Sequence, residues 1–434
     1  MQDLAADGVI YGEIRWAPEQ HLTRGLSLDD AVEAVQEGIE QGIDDVRHRG
    51  HAIRAGQLVT VMRHADRGLE IAELAVRRQE FGEQKYVPRD FVARLKEAGV
   101  YRAATPRRFG GEPLAPAEFL RIVERISVVD GSTGWVASFG SALVYLAALP
   151  LDTQAALYAD SPDVVFAGGL FPIQPAPEAE GGFRIDGRWK FASGCMGADV
   201  LGVGIPGDAS TDGKPRTAIL RPEQVEIVQD WDVIGMLGTG SFDLVVRDVV
   251  VPREWTFIRG GEPTVDEPLY RYPAIAYAAQ VLAVVGAGVA RAALDYAVEI
   301  GAGRAGITGA PKLADRPYYR TAVAQAEADL RSARAYFYEI TEEVWETVLR
   351  GDPATAEQNA HLRLAATHIA ATAASVVNRL VEISGTAAIF HGHPLQQWAG
   401  DALVPQQHAF LGPGLVEAAG AVLMGQPPTV PGFR

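Results

Sequence analysis

Cysteine occurs once, at Cys195, in a chain of 434 residues. No intramolecular disulfide and no cysteine-built zinc cluster is therefore available. Basic charge is scarce as well: 39 Lys and Arg stand against 55 Asp and Glu, a formal net charge of -16. No dense run of arginine or lysine breaks that balance, which excludes a phosphate-binding nucleic-acid surface. A neutral or cationic small molecule, or a protein partner, is the easier ligand for such a chain. No charged segment followed by an apolar run opens the sequence, so no signal peptide is expected and the cytoplasm is the simplest address. No GxGxxG follows a strand and opens a helix, so no nicotinamide site is expected. Long apolar runs are few. The most membrane-like, AIAYAAQVLAVVGAGVARAALDYA from Ala274, is broken by Gln280, Arg291 and Asp295. Its Ala and Gly content predicts a buried helix with close neighbours, not a membrane span.

What is present reads as a globular chain, 48% hydrophobic and 22% charged, long enough for two or three domains. Residues 1–80 read as β-α-β-α. VIYGEIRWAP is a short strand, LSLDDAVEAVQEGIEQGIDDVRHRG a helix with Ser27 as N-cap, QLVTVMR a second strand and DRGLEIAELAVRRQE a second helix. Such units belong in a parallel sheet, which two strands alone do not complete. Residues 81–163 read as helical, with an amphipathic helix opening at Pro88 and a Gly/Pro loop in TPRRFGGEPLAP. Residues 164–265 read as a β domain in which GGFRIDGRWKFASGC offers a turn between strands and SFDLVVRDVVVP is a strand closed by Pro252. Residues 266–434 return to helical periodicity, broken at GAGRAGITGAPKLADRP, RGDPATAEQ and HGHP. The fold class expected is α+β, three layers preceded by a separate α/β piece.

Over residues 81–434, the stretches LKEAGVYRAATPRRFGGEPL, VDGSTGWVAS, FAGGLFPIQPAPEAEGGFRIDGRWKFASGCMGAD, GTGSFDLVVRDVVVPREWTF and HPLQQWAGDALVPQQHAF resemble the acyl-CoA dehydrogenase superfamily. Within it they look most like the two-component flavin monooxygenases related to the oxygenase of para-hydroxyphenylacetate hydroxylase. The resemblance implies a helical domain, a β domain and a C-terminal helix bundle assembled as a homotetramer. It implies reduced FMN or FAD delivered by a separate flavin reductase, O2 as co-substrate, and a C4a-hydroperoxyflavin that passes one oxygen to an aromatic, polyketide-like or amine small molecule. Residues 1–80 resemble a fragment of adenosine deaminase through GVIYGEIRWAPEQH, GLSLDDAVEAV and VMRHADRGLEIAELAVR. The zinc ligands and proton-shuttle Glu of that chemistry are missing from the fragment. It reads as a fusion remnant, a gene-model boundary artefact or a docking element. The one HxH, His391-Gly392-His393, is a helix-connecting loop, and His21, His48, His51 and His64 read as solvated or structural; no metal is expected.

Two features separate an oxygenase from a dehydrogenase of this fold. A dehydrogenase needs a carboxylate base beside the flavin, yet no acid lies between Asp401 and Glu417. The resemblance instead places His408 near flavin and substrate. There it accepts a phenolic proton, hydrogen-bonds the flavin hydroperoxide, or is a helix histidine satisfied by a carbonyl. Ser193 in FASGC is implied beside the flavin N5 edge, or is a strand-end serine capping a turn. Trp135, with Ser132 and Thr133, resembles the family's aromatic at the helical-domain wall of the pocket, or is a buried core residue. Trp189 is a core aromatic or a flavin contact, and Gly238, Thr239, Gly240 and Ser241 form a turn that approaches a flavin or reverses the chain. Departures from the family pattern are Leu143 where a His is common, Gly169 where a Ser is common, with Phe171 in the same pocket stretch, Ile300 where an Arg pairs with pyrophosphate, and Gln397 and Gly400 in place of the basic residues of PLQRxxRD. Loss of that pyrophosphate anchor suits a flavin that arrives reduced, reacts and leaves, with Arg304 or Lys312 as candidate substitutes. The alternatives are an acyl-CoA dehydrogenase with a displaced base and a non-catalytic binding or scaffold protein.

Overall fold

The computed structural model describes residues 11–16, 28–49, 54–59, 77–303, 311–430 and 433. It divides into two units, Met1–Val76 and Arg77–Arg434. In the first, β1 (Tyr11–Trp16) and β2 (Arg54–Val59) pair in parallel, from Tyr11 opposite Arg54 to Trp16 opposite Val59. The helix α1 (Leu28–His48) joins them, as a parallel pair requires. His48 in its last turn donates from Nδ1 to the Asp44 carbonyl at 2.7 Å, a structural role. Ser27, His21, His51 and His64 lie outside the described residues. Of the second helix read in this segment, residues 77–80 are helical within a run over 77–84 that belongs to the other unit, and the remainder lies outside the described residues.

The second unit opens with helices. α2 (Arg89–Glu97) buries Phe91, Val92 and Leu95. α3 (Pro116–Val129) starts with Pro at its first turn, where the missing N–H is unneeded. α4 (Gly131–Ser138) follows after the single extended residue Asp130, and short helices α5 (Leu143–Leu146) and α6 (Leu151–Leu157) complete the layer. The β layer contains two four-stranded sheets. One has the order β10 (Thr256–Ile258), β7 (Arg216–Leu220), β6 (Val200–Ile205), β3 (Phe166–Gly169); the other runs β4 (Glu178–Ala179), β5 (Gly182–Ala192), β9 (Phe242–Pro252), β8 (Val225–Val228). GGFRIDGRWKFASGC has its turns at its two ends, at Gly181 and at Ser193-Gly194. Gly182–Ala192 is one continuous strand, and Asp186-Gly187 marks a register shift against β9 between Ile185 and Gly187. An Asp-Gly pair serves a bulge as readily as a hairpin. The hairpin sits earlier, at Glu180 and Gly181, where Gly181 supplies φ 83.

After α7 (Pro268–Arg271) come the long helices α8 (Ala274–Gly301), α9 (Pro317–Leu349) and α10 (Ala356–Ile383), then α11 (Pro394–Gln407) and α12 (Gly414–Leu423). Among the described residues α8 and α10 are long and apolar enough to cross a membrane, but both are core helices here. Ala290, Ala293 and Ala297 of α8 share a buried cluster with Ala373, Val377 and Leu380 of α10. At Gly288 a Cβ would lie 2.4 Å from the Glu124 carbonyl oxygen, so α8 meets the backbone of α3 directly. The small residues that gave the stretch its membrane-like look are those that admit this close packing.

Candidate functional site

The site begins with a helix cap. Asp130 accepts hydrogen bonds from Thr133 N and Oγ1, both at 2.7 Å, which fixes the first turn of α4. Thr133 is thereby committed to the cap and fully buried. Farther along α4, Trp135 Nε1 donates to Ser193 Oγ at 3.1 Å. Ser193 reaches it because β5 ends in a reversal. Phe191 adopts φ 62, Gly194 adopts φ 74, and Ser193 N donates to the Phe191 carbonyl at 3.0 Å.

Ser193 Oγ lies 2.7 Å from Ser241 Oγ, which lies 2.8 Å from Thr239 Oγ1, which donates to the Met236 carbonyl at 2.9 Å. All three hydroxyls are buried. Each carries one proton. With Thr239 donating to Met236, Ser241 donates to Thr239 and Ser193 to Ser241, so the chain is polarised in one direction away from Trp135. Ser193 then keeps a lone pair for a ligand, and reversing the chain would free its proton instead. Gly238 N donates to Ser132 Oγ at 3.0 Å, tying this turn to α4. Cys195, next to it, is buried; its thiol donates to the Gly240 carbonyl at 3.5 Å, and burial pushes its pKa up to about 12.

His408 packs against the same tryptophan. α11 ends at Gln407, and the His408 ring packs edge-on to Trp135 with centroids 6.0 Å apart and to Phe410 at 5.2 Å. Phe410 N donates to His408 Nδ1 at 3.2 Å, so the network assigns the ring proton to Nε2. Burial, then the positive charge of Arg259, holds the imidazole pKa down to about 4. The ring is neutral at ordinary pH and presents an N–H donor.

Other residues marked from sequence fall elsewhere. Trp189 is fully buried and donates to the Gly204 carbonyl at 2.8 Å, so it is a core residue of the β layer and its N–H is spent. Leu143 is fully buried too. At Gly169 a Cβ would lie 2.9 Å from the Lys190 carbonyl oxygen, so the absence of a serine there has a backbone cause. Phe171 is 63% exposed and bridges Lys190; among the described residues no hydrogen bond or ring contact joins it to Trp135 or His408. Arg304 lies outside the described residues. His393 is the N-cap of α11, and no group of three metal-ligand side chains occurs among the described residues.

Two groups were not read from sequence. The first is a dock between α11 and the loop before Thr239. Gly400 and Gly235 meet backbone to backbone: a Cβ on Gly400 would lie 2.2 Å from the Ile234 carbonyl oxygen, and one on Gly235 2.1 Å from Gly400 C. Asp401 Oδ1 accepts from Met236 N at 2.5 Å beside this contact, and its Oδ2 has no hydrogen-bond partner. Burial, then the Asp130 charge, raises the Asp401 pKa to about 7. The second is a pair of arginines. The Arg259 guanidinium lies 4.8 Å from the Phe410 ring centroid and 5.2 Å from that of Tyr145; Arg363 lies 5.6 Å from Phe410. A lone arginine inside the apolar run LRLAATHIA was the available signal for Arg363.

A buried chain of hydroxyls that leaves Ser193 a lone pair, with a neutral imidazole N–H against the same indole, is a polar set suited to the edge of a flavin ring. The layers that carry it are those of the acyl-CoA dehydrogenase fold. Models of the acyl-CoA dehydrogenase N-terminal and C-terminal domains match residues 62–156 and 280–413, and one of adenosine deaminase matches residues 1–83. The chain is 52% identical over 355 residues to an indole-3-acetate monooxygenase of Pseudomonas putida, covering 82% of this chain and 91% of that one. It is 32% identical over 302 residues to the oxygenase component of an FADH(2)-dependent resorcinol hydroxylase of a Rhizobium species, covering 65% and 73%. Among solved structures, 3-HSA hydroxylase from Rhodococcus sp. RHA1 superposes with a TM-score of 0.77 at 26% identity, covering 85% of this chain and 97% of that one. The chain belongs to the flavin-dependent monooxygenases of the acyl-CoA dehydrogenase fold, the two-component type that uses reduced FMN or FAD and O2. A separate flavin reductase is the partner such oxygenase components imply. The dehydrogenase and scaffold alternatives fall with this finding.

Proposed function

We propose that this chain oxygenates the ring of an aromatic acid of the indole-3-acetate type, and that Ser193, Ser241, Thr239, Trp135 and His408 form the centre where it does so. The observation that carries the reading is that Ser193 and His408, 215 positions apart, both contact Trp135. Reduced flavin, when bound, supplies the two electrons that let one atom of O2 enter the substrate while the other leaves as water. Ser193, oriented by the hydroxyl chain and by Trp135, would hold the edge of the bound flavin through its remaining lone pair. His408, its Nδ1 already occupied, has an Nε2–H donor that would hydrogen-bond flavin or substrate and has no free nitrogen to take a proton from the substrate. Trp135 and the buried side chains around it exclude water, which would divert the oxygen to hydrogen peroxide.

Ser193→Ala tests the assignment. It removes one hydroxyl from a buried chain and is expected to lower product formed per reduced flavin oxidised about tenfold, with a matching rise in hydrogen peroxide. Unchanged coupling would remove Ser193 from the centre.

The chain works as a homotetramer in the cytoplasm, built through its C-terminal helices. Ile389, Phe390, Leu423 and Met424 there are exposed, a density of large apolar side chains that supports a self-interface. Sedimentation velocity on the full chain is expected to give a single species of four copies; a monomer would overturn this part.

A further inference from the structure

We propose that Arg363, with Arg259, is the seat for the substrate's carboxylate and the feature that selects aromatic acids over their neutral counterparts. The inference rests on the oxygenase reading above and adds the group that sets its specificity.

Arg363 lies on α10 and is 2% exposed. Its Nη1 donates to the Ile275 carbonyl at 3.3 Å, and its Nε, buried as well, has no partner. Among the described residues no carboxylate lies within ion-pairing distance of Arg363 or of Arg259. Elsewhere in this unit the less exposed arginines are matched: Arg216 by Asp208, Arg77 by Glu80 and Asp90, Arg291 by Glu327. A guanidinium taken out of water without a counter-charge is costly, and even with burial its pKa falls only to about 10, so it stays charged at neutral pH. An arrangement of this kind persists where a ligand supplies the missing anion.

The position of the pair indicates which ligand. Both guanidinium groups lie over the Phe410 ring. Phe410 packs against His408, and His408 against Trp135, whose indole N–H is on Ser193. One row therefore runs from the hydroxyl chain, past the neutral imidazole, to two cations. A flat ring beside Trp135 and His408 places an acidic side chain one or two carbons long toward the arginine end. Arginine forks match a carboxylate in two parallel hydrogen bonds, which a lysine does not. The net charge of -16, which favoured a neutral or cationic ligand, does not govern a local site where two cations face no acid.

The test compares indole-3-acetate with indole in the full chain, as wild type, Arg363→Met and Arg363→Lys. Met keeps the length of the stem without the charge. Arg363→Met is expected to lower the preference for the acid, measured as the ratio of the two kcat/KM values, by about 100-fold, chiefly through KM for the acid. Arg363→Lys should recover part of that ratio. Equal losses for acid and indole would overturn the proposal. So would weakened binding of reduced FMN with binding of reduced riboflavin, which lacks the phosphate, unchanged: the pair would then hold the cofactor's phosphate. If Arg363→Met does not fold, Arg259→Met gives the same ratio test at the second cation. Thermal shift of the flavin-free protein by indole-3-acetate against indole reads recognition without turnover. An acid-specific shift lost in Arg363→Met with no oxygenation in wild type would sink the oxygenase reading and keep the seat; oxygenation with no acid preference would do the reverse.

Discussion

Replacing His408 with Ala should leave reduced-flavin binding within about threefold of wild type while cutting product per flavin oxidised by about 100-fold, the oxygen appearing as hydrogen peroxide. The size follows from losing one preorganised donor beside the buried Trp135. Gln at 408 retains an N–H donor and should recover part of the coupling, whereas a base could not be replaced this way. pH separates the two roles further. With the imidazole held down at about 4, coupling should stay level from about pH 8 to about pH 5 and fail only near 4. A titrating base would show its loss near the ordinary histidine range. The sign carries over to stability. The folded pKa lies below the unfolded 6.5, so the stabilisation from a neutral His408 is present above that value and is lost as the pH falls toward 4.

The second large effect is at Gly400. Restoring the family's arginine there should not restore a phosphate anchor; it should break the dock. Any side chain at 400 meets the Ile234 carbonyl oxygen at 2.2 Å, a backbone atom that cannot turn aside. Gly400→Arg is expected to cost about 3 kcal/mol or more, read as a lower urea midpoint, and to weaken flavin binding because Met236 and Thr239 shift with the loop. Gln397→Arg, the other departure from the same motif, is on an exposed position and should be tolerated within about 0.5 kcal/mol. Equal behaviour of the two variants would defeat the docking account. Asp401 adds a pH term. Its folded pKa of about 7 lies above the unfolded 3.8, so its contribution to stability is full below about pH 4 and declines as pH rises through 7.

Much of this was legible in one dimension. The helix, β, helix order follows from periodicity, and the small-residue run of α8 announced a buried helix before any packing was seen. His408, Ser193 and Trp135 stood out because they occupy matched positions in motifs, and the structure brings these three together. What was not legible depends on distance across the chain. Asp186-Gly187 carries a turn's local signature, and only pairing with β9 makes it a bulge. Gly400 looked like a lost arginine, because its reason is Ile234, 166 positions away, and Gly169 like a lost serine, because its reason is the Lys190 carbonyl. Trp189 is typical of a pocket aromatic by type, yet its N–H is consumed by Gly204. Arg259 and Arg363 belong to different layers, and only Phe410 between them shows that they form a pair.

Cys195 gains a meaning from the chemistry around it. An oxygenase that slips releases an oxidant beside its own side chains, and thiolates are the first groups such an oxidant damages. The one sulfhydryl in this chain is buried, bonded to Gly240 and far too weak an acid to ionise at working pH. Self-inflicted sulfur oxidation at this position is thereby suppressed, and the catalyst can tolerate imperfect turnover without losing the hydroxyl turn to which that sulfhydryl is attached.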